Sequence, residues 1–402
     1  MSDCSNVVRD EAVAASAPLP TAPRPILFTG ENGEFRRLVM RGALLEIVTA
    51  GFYRFWLATK MRRYLWSNTV IDGDALEYVG AARELLFGFF FALAIATPAY
   101  LLYFLVTMEA ERYKAFASLP LLLFFFAFGQ YANYGARRYR LHKTSWRGLR
   151  FGMGGSGLAY LGRALCWGAV IALTLGLALP FAQAALERYK MRNTSYGGLR
   201  GDFVARGGAF FKRGWWIWAA TIAVAVTSLI LGAAKSEALL LLAMLIALFA
   251  APALYAAFKA AQWRWWLEGL RLGDIRLETS LTTRRLLTNY YVYFAIVMGC
   301  MLAFGALVGI VTFVLISGGH APQPQQQPSA ALFVLFGAFY VLTFVAAGIA
   351  TRIYFVQRVW KIVAGSLRVH ALEQAEAAVA ETGSSANAIN EGFLGSLDVV
   401  GF

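Results

Sequence analysis

Long apolar runs, each about 20 residues and separated by polar segments, set the pattern of this chain. A run of that length suits an α-helix that crosses the hydrocarbon core of a membrane. Six runs group into three hairpins, at residues 84–107 with 116–134, 214–234 with 238–258, and 290–316 with 330–354. The hairpin tips, residues 108–117, 234–238 and 317–329, are short and lightly charged. The pattern predicts an α-helical polytopic membrane protein with about six transmembrane helices.

Two further apolar segments, residues 38–58 and 157–183, are assigned from the distribution of charge. If both enter the membrane and return, one side of the membrane receives 26 Lys and Arg residues in its loops and the other receives 3. A single crossing by residues 157–183 destroys this asymmetry, and basic loops favour the cytoplasm. We therefore expect two re-entrant or interfacial segments, with the basic loops in the cytoplasm.

The two re-entrant segments resemble each other, which indicates an internal repeat. Thr49 and Gly51 have counterparts in Thr174 and Gly176, 125 residues further on, and the glycine marks a possible turn between two half-helices. The predicted organisation is a disordered tail (1–25), repeat 1 (26–150), repeat 2 (151–288), an extra transmembrane hairpin (289–370) and a C-terminal tail (371–402).

The basic loops also contain strand and turn signals. Asp72-Gly73 lies between two short β-prone runs within residues 68–80, and residues 28–35 and 149–155 are candidate partner strands. Because a lone hairpin is marginally stable in water, we expect these strands to pair into small cytoplasmic β elements.

Composition supports a membrane protein that faces anionic lipid. Apolar residues make up 59% of the chain and the mean hydropathy is +0.55. The net charge is +14, but the Lys and Arg residues flank the apolar runs. This placement favours anionic headgroups at the cytoplasmic face over nucleic acid. Most of the 11 tryptophans border the basic side, which is typical of an interfacial aromatic belt and less so of a base-stacking platform.

One polar motif occurs in both repeats and is the first candidate binding element. Arginine next to tyrosine suits a lipid phosphate at the interface, whereas Asn-Thr followed by glycine equally suits the end of a helix and a turn. Both interpretations stay open. The candidate residues are Arg62, Arg63, Tyr64, Asn68 and Thr69 in repeat 1, and Arg188, Tyr189, Asn193 and Thr194 in repeat 2.

This motif resembles the YjgN family of bacterial inner-membrane proteins, a family catalogued as a domain of unknown function. The resemblance rests on the paired arginine, tyrosine and Asn-Thr positions and covers residues 26–370. It implies a multi-pass protein of the bacterial inner membrane and implies no activity.

Charges within the re-entrant segments are the second candidate. Arg41, Glu46 and Arg163 lie in otherwise apolar sequence, where charge is costly and often functional. The two arginines are close enough to the segment ends to reach lipid headgroups. Glu46 is either a functional residue or merely the partner of another polar group. With the repeat, these charges favour a transporter or channel-like protein for a small solute, ion or lipid. The alternative is a non-transporting scaffold that organises anionic lipid.

Catalytic and metal-binding signatures are missing from the sequence. The three cysteines are isolated, the three histidines are scattered, and neither HExxH nor a P-loop ending occurs. We therefore predict no catalytic residues, no metal site and no cofactor.

The re-entrant interpretation is testable with accessibility reporters. Cysteine labelling or reporter fusions at residues 70 and 195 should report the same, cytoplasmic side, and one at residue 325 the opposite side. Residues 70 and 195 on opposite faces would contradict the re-entrant arrangement.

Overall fold

The computed structural model describes residues 22–109, 114–233, 236–317 and 330–384. Along these ranges the order strand, helix pair, strand recurs. The strands are β1 (Arg24–Phe28), β2 (Thr69–Ile71), β3 (Asp74–Tyr78), β4 (Thr144–Trp146), β5 (Leu149–Met153), β6 (Thr194–Tyr196), β7 (Leu199–Phe203), β8 (Leu270–Leu272), β9 (Ile275–Thr279) and β10 (Leu367–His370).

The described helices between the strands have 6 to 35 residues, a π-helical segment, Thr351–Arg358, interrupts the second helix of the last pair, and one further helix follows β10. They are α1 (Asn32–Val48), α2 (Arg54–Ser67), α3 (Ala82–Glu109), α4 (Lys114–His142), α5 (Gly157–Leu173), α6 (Leu179–Arg192), α7 (Gly207–Ala233), α8 (Glu237–Gly269), α9 (Thr283–Ser317), α10 (Ala330–Ala350), α11 (Val359–Ala364) and α12 (Glu373–Ser384).

The ten strands of the described chain form one closed antiparallel barrel. Each strand pairs with its neighbours in the sequence, and β1 closes the ring by pairing with both β2 and β10. Tight turns join the hairpins at Asp72-Gly73 and Arg147-Gly148, where all four residues have positive φ. Such turns match the right-handed twist of the strands. Closure leaves no unpaired strand edge.

The barrel differs from the small separate β elements that the sequence predicts. The turn at Asp72-Gly73 and the strand that begins at Leu149 lie where they are expected. The prediction for residues 28–35 is wrong, because the strand ends at Phe28 and α1 begins at Asn32. Ring closure joins segments as distant as β1 and β10, and local sequence patterns carry no information about such pairings.

Five of the described helices are long and apolar enough to cross a membrane. They lie at Ala82–Met108, Gly207–Ala233, Glu237–Gly269, Thr283–Val314 and Val334–Ala364. At most 11% of each apolar window is buried within the protein, so most of this surface is available to lipid. The sixth predicted span, residues 116–134, lies in α4, a helix of 29 residues that is not one of the five.

The helix pairs α1–α2 and α5–α6 are shorter than the others. Each breaks at a glycine with positive φ, Gly51 at +91° and Gly176 at +89°. The longer helix of each pair has 17 residues, or about 25 Å, less than the roughly 30 Å of a hydrocarbon core. Both ends of each pair enter adjacent barrel strands. How deep the pairs enter a membrane stays a prediction, as does the tandem repeat.

Ordered elements extend into both predicted tails. β1 begins at Arg24, and α12 lies within residues 371–402, with Leu372 and Ala375 buried. Residues 1–21 and 385–402 lie outside the described ranges, as do most of the tip at 317–329 and parts of the other tips.

Candidate functional site

The repeated Asn-Thr motif ends a helix at the barrel. In the first copy, the Asn68 side-chain amide donates to the Tyr64 carbonyl at 2.8 Å, and the Thr69 hydroxyl donates to the Leu65 carbonyl at 2.7 Å. Both carbonyls lie in the last turn of α2, and that of Tyr64 also accepts the Asn68 backbone N–H at 3.2 Å. The motif thus connects helix to strand.

The second copy forms the same contacts at the end of α6. Asn193 donates to the Tyr189 carbonyl at 2.7 Å, and Thr194 donates to the Lys190 carbonyl at 2.9 Å. The Tyr189 hydroxyl donates to the Ser156 carbonyl at 2.8 Å. The two copies therefore have the same local architecture.

The arginines of the motif differ in what they contact. Arg188 donates to two backbone carbonyls, one of them Phe203 at 3.2 Å, and Arg62 donates to the Tyr78 hydroxyl at 3.2 Å. Arg63 is exposed. Of the three, Arg63 is the most accessible to a lipid headgroup, and the lipid-binding role of the motif stays a prediction.

Glu46 has a partner that sequence reasoning missed. Its carboxylate lies 2.5 Å from the Arg352 guanidinium of the π-helical segment, beside a cavity of 570 Å³. Arg352 is 306 positions away in the sequence, so no helical spacing indicates the pair. Arg41 is exposed, and so is Arg163, whose guanidinium lies over the Tyr189 ring at 4.3 Å. The three charges do not converge on one site.

A cavity of 1440 Å³ lies between α4, α5, α6 and α8, and we call it the chamber. Its wall is apolar where the helices are far from the barrel, including Leu119, Phe126, Trp167 and Leu179. Its polar residues lie on the helix turns nearer the barrel: Gln130, Asn133, Tyr160, Gln183, Glu187, Lys190, Lys259 and Gln262. The chamber is therefore apolar at one end, and its polar residues are confined to the other end, which they share with Leu186, Trp263 and Trp266.

Glu187 organises the polar end. Its carboxylate lies 2.6 Å from the Arg137 guanidinium and 2.5 Å from the Lys190 ammonium, and it accepts a hydrogen bond of 3.0 Å from the Trp266 indole. Burial alone raises the pKa of the Glu187 carboxyl. The charges of Arg137 and Lys190 and the bond from Trp266 outweigh burial and lower this pKa to about 2.

Lys259 lies on the opposite wall of the polar end. Its ammonium donates to the Gln262 side chain at 2.9 Å, and Gln262 donates to Gln183 at 3.1 Å. The ammonium also lies 5.7 Å from the centre of the Tyr255 ring. Among the residues that the structure describes, no carboxylate pairs with Lys259. The chamber wall therefore carries two cations, Lys190 and Lys259, and one carboxylate, Glu187, which is also paired with Arg137.

The chamber was not predicted from the sequence. Glu187 stands beside the arginine and tyrosine of the second motif, and Lys259 directly follows an apolar run. A charge at the end of a span normally indicates only a membrane boundary. Across the described residues, no three His, Cys, Asp or Glu side chains are placed to hold a metal ion. The chamber offers hydrogen bonds and positive charge.

Comparison with known proteins identifies a family. The profile of a family described as "Bacterial protein of unknown function (DUF898)" matches residues 23–393, a range that includes all ten barrel strands and the chamber. No curated protein and no solved structure matches the chain.

Replacing Glu187 tests the charge balance at the polar end. At pH 7, Glu187→Gln should lower the free energy of unfolding by about 3 kcal/mol, because Arg137 and Lys190 lose a largely buried partner. The folded-state pKa lies below the ordinary 4.5, so the carboxylate stabilises the fold above pH 4.5. This contribution is lost as the pH falls from 4.5 towards 2, and the two proteins should converge. The measurement is thermal unfolding in detergent.

Glu268→Gln is the matched control. Its carboxylate pairs with Arg213 at 2.9 Å, and both side chains are at least 40% exposed. This change should cost less than about 1 kcal/mol. Equal losses in the two variants, or a Glu187→Gln effect that does not depend on pH, would contradict the account.

Proposed function

We propose that this chain, which belongs to the YjgN family of bacterial proteins of unknown function, binds an anionic amphiphile in the chamber as a multi-pass protein of the inner membrane. The observation that carries the proposal is the polarity of the chamber along its length. An apolar end between membrane helices matches a hydrocarbon chain, and a cationic end near the barrel matches an acidic headgroup.

The size of the chamber favours a lipid over a small solute. Its 1440 Å³ exceeds the roughly 300–1000 Å³ of sites for drug-sized ligands. Leucine and aromatic side chains of α4 and α5 form the apolar end. A hydrocarbon chain that binds there leaves its contact with water or lipid, and no polar group loses its hydrogen bonds as a result.

The charge at the polar end favours an anion. Arg137 and Lys190 share the Glu187 carboxylate, whereas Lys259 contacts only an amide and aromatic rings in the described structure. An acidic headgroup beside Lys259 gains a charge-assisted hydrogen bond. Gln183 and Gln262 supply further donors at the same level.

A chamber of this kind supports a carrier of amphiphiles over the other candidate functions. A scaffold that only organises lipid at its basic face needs no internal site, and a small-ion channel needs a polar path throughout its length. We therefore assign the transporter-like role to the chamber, and Glu46, paired with Arg352, to a separate cavity.

Substitution of Lys259 tests the headgroup assignment. The purified full chain in maltoside detergent is titrated with an alkyl phosphate and with an alkyl phosphocholine of equal chain length, and the bound amphiphile is counted by native mass spectrometry. The wild-type chain should retain the phosphate preferentially. Lys259→Gln should weaken its binding by about tenfold, as expected for the loss of a hydrogen bond to a charged group.

Two further variants make this result specific. Lys259→Arg should retain most of the affinity, and Lys212→Gln, a change at an exposed lysine of α7, should have no effect. Equal binding of the two amphiphiles by the wild-type chain, or equal losses in Lys259→Gln and Lys212→Gln, would overturn the proposal. Binding that depends instead on Arg62, Arg63 and Arg188 would favour the lipid-organising scaffold.

A further inference from the structure

The barrel encloses a second cavity of 320 Å³, which we call the lumen. A barrel of about eight strands is just wide enough for its inward side chains to fill it, and diameter increases with strand number. The described barrel has ten strands, so space remains inside it. This volume lies within the range of small-molecule sites.

The wall of the lumen is almost entirely apolar. Eight of the ten described strands, all except β3 and β7, contribute aliphatic or aromatic side chains, among them Ile26, Ile71, Phe151, Leu272, Leu277 and Val369. An apolar cavity of this kind excludes water and accepts uncharged apolar molecules.

The membrane-facing end of the lumen is closed by groups already engaged with one another. Arg137 lines this end, but its guanidinium contacts the Glu187 carboxylate and, at 3.1 Å, the Met191 sulfur. Trp266 lies between the lumen and the chamber and borders both. Arg271 also lines the lumen, and its guanidinium donates to the Glu268 and Leu270 backbone carbonyls, each at 2.9 Å. Both guanidinium groups are therefore already engaged with protein acceptors.

The other end is closed by the start of α12. Leu372 and Ala375 line the lumen and are buried. Contacts at the barrel rim hold the helix: Glu376 lies 3.2 Å from Arg147 and 3.6 Å from Arg24, and the Asp274 backbone N–H donates to Gln374 at 2.9 Å. The Glu376 side chain is 42% exposed, so water screens its ion pairs and these rim contacts are weak, whereas Leu372 and Ala375 are held by burial.

We propose that the lumen is a second binding site, for a small uncharged apolar molecule, and that α12 is the lid through which the ligand enters. The site is distinct from the chamber in place and in chemistry, because the chamber selects an anionic headgroup and the lumen a neutral apolar body. The rim contacts of Glu376 set how readily the lid opens.

Photolabelling of the full chain tests both the binding site in the lumen and the role of α12 as its lid. An uncharged short-chain alkyl diazirine is added to the protein in detergent and irradiated, and labelled peptides are mapped by mass spectrometry. Label is expected in the barrel strands of the wild-type chain. Leu277→Trp fills the lumen from its wall and should reduce this label at least fivefold. Arg276→Trp, which changes the exposed neighbour on the same strand, should leave it unchanged.

The lid is tested by the labelling rate. Glu376→Gln removes the rim ion pairs and should increase the rate of lumen labelling at least twofold, whereas Glu268→Gln, at the exposed pair with Arg213, should not. Lys259→Gln should leave lumen labelling unchanged, which separates this site from the chamber. If thermal unfolding shows that Leu277→Trp does not fold, Ile71→Phe fills the lumen from another strand.

Label confined to the membrane helices would overturn the proposal that the lumen is a binding site. So would equal lumen labelling of Leu277→Trp and Arg276→Trp. A labelling rate unaffected by Glu376→Gln would overturn the assignment of α12 as the lid.

Discussion

Closure of the ten-strand ring is the constraint on which the rest of this structure depends. The strands are only three to five residues long, and each is bonded on both sides to an antiparallel neighbour. An isolated hairpin of that length would be marginal in water. In a ring every strand has two partners, and no edge remains for pairing with another chain. The contact of β1 with β10 joins residues more than 300 positions apart and completes the ring.

The ring also determines where the site lies. Each helix pair begins and ends on neighbouring strands, so both ends of all five pairs meet at the barrel. α4 ends at β4, α5 begins after β5, α6 ends at β6 and α8 ends at β8, and the positions of these strands in the ring bring the four helices together around the chamber. The charged turns of these helices lie towards the barrel, and their apolar turns extend away from it. The polarity of the chamber is a direct consequence of this arrangement.

Local features of the fold were readable from the sequence, and long-range ones were not. Asp72-Gly73 requires positive φ at two successive positions, and Gly51 and Gly176 break apolar segments, so these turns carry a strong local signal. The apolar runs likewise indicate membrane helices by length alone. The partner of Glu46, the pairing of Arg137 with Glu187 and the ring closure all join residues distant in sequence. The local periodicity of a sequence carries no information about such contacts, and for that reason the sequence did not predict the chamber.

A disulfide across the closing strands tests the ring most directly. In a chain whose native cysteines are replaced by serine, Pro25→Cys and Arg368→Cys place two thiols at opposed positions of β1 and β10. Their Cα atoms should lie about 5 Å apart, within the range for a disulfide. Residue 278 faces residue 368 from the next strand, so the pair 25 and 278 should be about 10 Å apart. If the ring is closed, mild oxidation should link residues 25 and 368 and leave residues 25 and 278 unlinked. Failure of the first pair to link, or equal linking of both pairs, would contradict closure of the ring.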